Sequence, residues 1–178
     1  LIKDISICYD GKWQNKILGQ LSVYKKLKAP YYDEVIELVS KIFSKKCDKL
    51  LDLSIISTKL ICEHIGIKFN YKIASSINFD QNFITMPGDW ALEISKHQKV
   101  LEYINPIGGY DIFDESKFLE NNIKLSFLKS CLSSYNQSWR KDFISGLSII
   151  DFIMFNSKEE CLHIMNTDFT IINKEEYI

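Results

Sequence analysis

Three short stretches decide the fold: IKFNYKIASS (67–76), YINPIGG (103–109) and IKLSFL (123–128). In the first, Ile67, Phe69, Tyr71 and Ile73 alternate strictly with polar residues, the period-two pattern of a strand. It ends at Ala74-Ser75-Ser76. A polar loop then leads to Pro87-Gly88-Asp89, and Asp89 can cap a helix holding Trp90, Ile94 and Leu101. The second stretch reads as a short strand, Tyr103-Ile104, running into Asn105-Pro106-Ile107-Gly108-Gly109. A short helix around residues 115–119 separates it from the third, where Ile123, Leu125 and Phe127 alternate again. Strand, helix, strand, helix, strand at this spacing predicts parallel strands joined by crossovers.

Working outward, Ile5, Ile7 and Tyr9 alternate before a turn at Asp10-Gly11 and read as another strand. Trp13, Ile17, Leu21, Tyr24 and Leu27 recur at helical spacing until Pro30. Val35, Ile36, Val39 and Phe43 mark a second helix. Leu53, Ile56, Leu60 and His64 mark a third, with Gly66 as its stop. Toward the other end an apolar segment, 147–155, is followed by Ser157 and Glu160 in a capping-box pattern. Phe169, Ile171 and Ile172 suit a last edge strand. The predicted fold class is α/β: one domain over residues 1–178, with a mostly parallel sheet and helices on both faces, layered as in Rossmann-like folds.

Composition excludes several functions. The 178 residues are 46% apolar and 25% charged, which is globular rather than disordered. No apolar run approaches the ~20 residues of a membrane-spanning helix, and residues 1–12 show no charged and apolar pattern of a signal peptide. Lys+Arg 22 against Asp+Glu 23 gives a net charge of −1, and Arg140 is the only arginine. Nucleic acid is therefore not an expected partner. Cys8, Cys47, Cys62, Cys131 and Cys161 form no C-x-x-C pair, so neither a zinc site nor a disulfide framework is expected. Free thiols of this kind fit a reducing cytoplasm. His64, His97 and His163 do not cluster, and neither a metal nor another cofactor is expected.

Ligands of open parallel sheets bind beyond the carboxyl ends of the strands. Two turns qualify here, Ser75-Ser76 and the run from Asn105 to Gly109. Paired glycines let the backbone approach a bulky anion, and serines offer hydroxyl and amide donors. The same residues equally make a plain tight turn and a helix cap, since neither a P-loop nor a full G-x-G-x-x-G is present. Tyr135 and Gln137 sit in an irregular polar segment, 133–142, which reads either as a binding loop or as a surface crossing.

Gly88-Asp89-Trp90 with Lys96, YINPIGG (103–109), Phe113-Asp114, IKLSFL (123–128) and LSIIDFIMFNS (147–157) resemble the WbqC-like family of bacteria. Lys12-Trp13, Tyr24-Lys25, APYYDEV (29–35), Gly66-Ile67 and Ser75-Ser76 carry the same resemblance. The family's opening strand with its Gln-Pro motif is not found before Leu1, so the chain is expected to be the C-terminal part of a longer protein or a shortened relative. The family's helix after Gly-Asp-Trp often carries a cysteine before its lysine; here Ser95 precedes Lys96, which does not support a cysteine nucleophile.

The resemblance implies a cytoplasmic role in surface-polysaccharide (O-antigen) biosynthesis: acyl or aminoacyl (glycine) transfer to a nucleotide-linked amino sugar. Its partners would be the nucleotide sugar and an acyl donor or acyl-carrier protein. The alternative is a non-catalytic sugar-nucleotide-binding or scaffold protein of the same pathway. On either reading Ser75, Ser76, Tyr103, Asn105, Gly108, Gly109, Tyr135 and Gln137 are candidate substrate-binding residues. Asp89, Lys96 and Asp151 are candidate catalytic residues, and Asp151 equally suits a local cap. A metal-dependent glycosyl transferase is disfavoured, because the chain holds no D-x-D pair.

Overall fold

A computed structural model describes residues 1–10, 12–137 and 142–173. Gly11 of the first turn, and Arg140 with its neighbours in the 133–142 segment, lie outside the described residues. The chain packs as two compact units. Residues 1–70 and 132–167 form one; residues 71–131 and 168 onward form the other.

The first unit is helical. It contains α1 (Lys12–Lys26), α2 (Tyr32–Phe43), α3 (Leu50–Ile65), α6 (Ile149–Phe155) and α7 (Lys158–Thr167). On α2, Val35, Leu38, Val39 and Ile42 recur at i, i+3, i+4 and i+7, and all four are buried. They pack with Ile153, Met154 and Phe155 of α6, Ile65 of α3 and Cys161 of α7. Burying each such side chain contributes roughly 1.5–3 kcal/mol. The predicted stops and starts are present. Gly66 ends α3 at φ +92°, a left-handed position where other residues are strained. At α7, Ser157 Oγ accepts from Glu160 N (3.1 Å) and Glu160 Oε2 accepts from Ser157 N (2.7 Å), a closed capping box.

The second unit carries α4 (Asp89–Gln98), β1 (Glu102–Pro106), α5 (Glu115–Glu120), β2 (Lys124–Ser130) and β3 (Phe169–Asn173). The sheet order is β1-β2-β3. β1 and β2 run parallel, with Tyr103 opposite Leu125, and β3 pairs antiparallel, with Ile172 opposite Phe127. Leu125 and Phe127 face Leu92, Phe113 and Phe118, and this aromatic layer is the unit's core. On the other face Ser126, fully buried, donates from Oγ to Glu102 Oε1 (2.7 Å), tying β2 to β1.

Two expectations change. The sheet is a small mixed one rather than a mostly parallel Rossmann-like layer. Only the 107–123 connection acts as a crossover, and β3 returns from the helices of the first unit to pair in the opposite sense. Residues 67–73, despite strict alternation, join no ladder among the described residues. Ile67 instead packs on the helical core, and its N–H closes the α3 terminus on Cys62 O (2.8 Å). The Ile5–Tyr9 stretch likewise makes only a single antiparallel bridge, Ser6 with Lys49. Alternation reports a one-sided environment, and a strand forms only where a partner edge is available.

Candidate functional site

In the second unit, Asp89 opens α4 yet does not act as its cap residue. Its side chain turns back instead. Oδ2 accepts from Thr85 N (2.9 Å), Thr85 Oγ1 (2.8 Å) and Met86 N (2.9 Å), and Oδ1 accepts from Lys117 Nζ of α5 (2.7 Å). The Lys117 ammonium, then the Thr85 and Met86 donors, hold this carboxyl well below the usual carboxylate range. Both oxygens are engaged, which makes Asp89 a fastener of the 85–89 turn. Gly88 is required beside it: a Cβ there would lie 2.5 Å from the carbonyl oxygen of Ile112. Lys96 is committed elsewhere, bonded to Glu93 Oε1 (2.8 Å) and lying 5.6 Å over the Phe83 ring.

The YINPIGG run folds on itself. Tyr103, half-buried and stacked on Phe118 at 5.8 Å, donates from its hydroxyl to Asn105 Oδ1 (2.9 Å). Burial pushes the Tyr103 phenol up from its ordinary value. Asn105 Nδ2 donates to Pro106 O (2.9 Å) and presses against buried Gly109, where any side chain would collide with it. Gly108 faces open space. Ser75 and Ser76 lie on an exposed 3-10 turn, and Ser76 Oγ donates to Ile73 O (2.7 Å) of that same turn. The structure thus brings Tyr103, Asn105 and Gly109 together, and the serine pair uses its hydroxyl locally.

In the first unit Tyr135, Gln137 and Asp151 converge. Asp151 is 1% exposed and stands on the first turn of α6, which Ser148 caps through its Oγ to Ile150 N (3.2 Å). Its Oδ1 accepts from Tyr135 OH (2.5 Å) and Gln137 Nε2 (3.0 Å). Its Oδ2 is buried with no hydrogen-bond partner among the described residues. Such an atom is costly unless something satisfies it. Gln137 is itself saturated: Nε2 also donates to Ile144 O (3.0 Å) and Oε1 accepts from Ile144 N (2.9 Å). It is therefore braced against the Ile144 backbone. Burial, and then the hydrogen bond to Asp151, push the Tyr135 phenol well up, so it stays protonated. Tyr135 also lines a cleft of about 310 Å³ with Asn136, Phe155, Asn156, Glu160 and His163.

Chemically, a fixed buried carboxylate with one unpartnered oxygen can accept a proton or hold an N–H or O–H donor that reaches it. Among the described residues no cluster of three or more His, Cys, Asp or Glu is placed to hold a metal. Also among them, no helix is long and apolar enough to cross a membrane. Sequence reasoning missed Thr85 and Lys117, which serve Asp89, and Ile144, whose backbone Gln137 clasps. A hydroxyl residue four positions before a carboxylate at a helix start is a local signal that could have found Thr85; Lys117 carries none, because its partner is 28 residues away.

The chain belongs to the WbqC-like protein family, whose model matches residues 1–163. No curated protein and no solved structure matches the chain.

Proposed function

We propose that this protein transfers an acyl or aminoacyl group to the amine of a nucleotide-linked amino sugar in surface-polysaccharide (O-antigen) biosynthesis. Membership in the WbqC-like family suggests the polysaccharide context. The observation that carries the chemistry is the buried Oδ2 of Asp151, which has no hydrogen-bond partner among the described residues. In the proposed step an amine N–H is held by that oxygen while the nitrogen lone pair attacks the carbonyl carbon of an activated donor, a thioester or acyl phosphate. The carbonyl π pair moves to oxygen. The nitrogen proton passes to Oδ2, and collapse of the adduct expels the thiolate or phosphate. Tyr135 and Gln137, gripping Oδ1, keep the carboxylate from rotating, so its geometry is set before the amine arrives.

The test is product formation followed by mass spectrometry. Nucleotide-linked amino sugars are offered with acyl thioesters and with glycyl donors, and Asp151→Asn is run beside the parent chain. The reading expects a new amide product that the variant loses while its circular dichroism is unchanged. Product formation by Asp151→Asn at the parent rate overturns it. Thermal stabilisation by the sugar nucleotide with no product from any donor also overturns it, in favour of a non-catalytic binder.

A further inference from the structure

The second unit contains a pocket of about 560 Å³ between α4 and β1, within the size range of small-molecule sites. Its walls are aliphatic and aromatic, among them Trp90, Ile94, Ile104 and Phe113. Trp90 and Ile104 are 44% and 46% exposed, a large apolar surface to leave open to water. The polar content is sparse and placed. Ser95, 4% exposed, sits one turn after Leu92 on the inward stripe of α4 and lines the pocket. Its hydroxyl makes no hydrogen bond among the described residues, and it is not one of their fully buried unpartnered atoms, so the oxygen is reached from the pocket. At the rim Lys72 Nζ is bonded to Gln98 Oε1, which brings a cation to the entrance. The one anionic wall residue, Glu102, is taken up by Ser126 Oγ and by Lys124 (3.2 Å).

We infer that this pocket holds the hydrocarbon chain of an acyl donor, with Ser95 Oγ donating to the acyl carbonyl and Lys72 facing the polar end of the carrier. An apolar body, one acceptor oxygen and a polar or anionic tail match the walls, the idle hydroxyl and the cationic rim in turn. The inference rests on the proposed transfer only in naming the ligand a donor. It deepens that reading by favouring a medium-chain acyl group over glycine, whose lack of hydrocarbon would leave the pocket open.

The experiment is calorimetric titration of the whole chain with the N-acetylcysteamine thioester of octanoic acid, with the acetyl thioester as control. Each buried methylene favours the longer chain, so the octanoyl probe is expected to bind at least about tenfold more tightly than the acetyl one. Ala91→Trp, which fills the pocket, should abolish binding. Ser95→Ala should weaken it about two- to tenfold, the value of one hydrogen bond. If Ala91→Trp does not fold, Ile104→Ser carries the same test by weakening binding. Equal affinity for the two probes, no binding of either, or full binding by a folded Ala91→Trp overturns the inference. So does displacement of the octanoyl probe by uridine, which would make the pocket a base site. Octanoyl binding in a protein that makes no amide product would overturn the proposed reaction and leave the pocket standing.

Discussion

The two units each bury an aspartate, and the two are handled in opposite ways. Asp89, 5% exposed, receives four hydrogen bonds from Thr85, Met86 and Lys117. Asp151, 1% exposed, receives two on one oxygen and none on the other among the described residues. Taking a carboxylate out of water costs several kcal/mol unless partners replace the hydration. At Asp89 the replacement is complete and the residue is scaffold. At Asp151 it covers one oxygen among the described residues, and the proposed transfer uses the other. Position at a helix start does not tell the two apart; the count of donors does.

The sharpest way to break this contrast is to remove each charge in turn. Asp151→Asn keeps the shape and loses the proton acceptor, so turnover should fall at least about 100-fold with little change in melting temperature. Asp89→Asn should do the reverse. It strips Lys117 of its counter-ion and points an amide at donors, so the melting temperature should fall by several degrees while residual activity tracks the folded fraction. Unchanged melting together with a large loss of turnover in Asp89→Asn would move that residue into the chemistry.

Smaller effects are expected at the glycines. Gly88→Ala forces a methyl against the backbone oxygen of Ile112, which cannot step aside. Gly109→Ala meets the amide of Asn105, the end of a side chain that can swing away. Urea unfolding should therefore show about 1–3 kcal/mol lost for Gly88→Ala and less for Gly109→Ala. A larger loss at Gly109 would mean that Asn105 is held more firmly than the backbone beneath Gly88.

The smallest effect is the pH response. Burial lowers the His64 pKa from 6.5, against the opposing pull of Glu34. Its proton is therefore bound more tightly in the unfolded chain. Stability should be full above pH 6.5 and decline as the pH falls through that value. Asp89, lowered from 3.8, keeps its contribution until the pH drops below 3.8. Urea midpoints measured across pH should show a shallow step near neutrality, removed by His64→Gln, and a separate one in acid, removed by Asp89→Asn. A near-neutral step that survives His64→Gln would assign it to another group.

Much of the helical unit was legible because its signals are local. The four buried positions of α2, Gly66 and the Ser157/Glu160 box each depend on residues within two turns of one another. The sheet was half legible. Tyr103-Ile104 and residues 124–127 lie in strands as expected, but 67–73 does not, since alternation cannot say whether a partner edge exists. The site residues Tyr135, Gln137 and Asp151 were each visible as polar residues in promising places. Their convergence was not, because it rests on side-chain contacts between residues 14 and 16 apart and on the Gln137 amide meeting the Ile144 backbone. Ser95 had a faint signal: a small polar residue on the apolar stripe set by Leu92.

The order in which the chain builds its two units has a consequence for synthesis. It passes between them at residues 70/71, 131/132 and 167/168, so neither is a contiguous stretch. A cut at any one crossing orphans part of both, and neither is obtained by trimming an end. During translation, helices α1 to α3 must wait for α6 and α7 to emerge, and β1 and β2 wait longer still for β3.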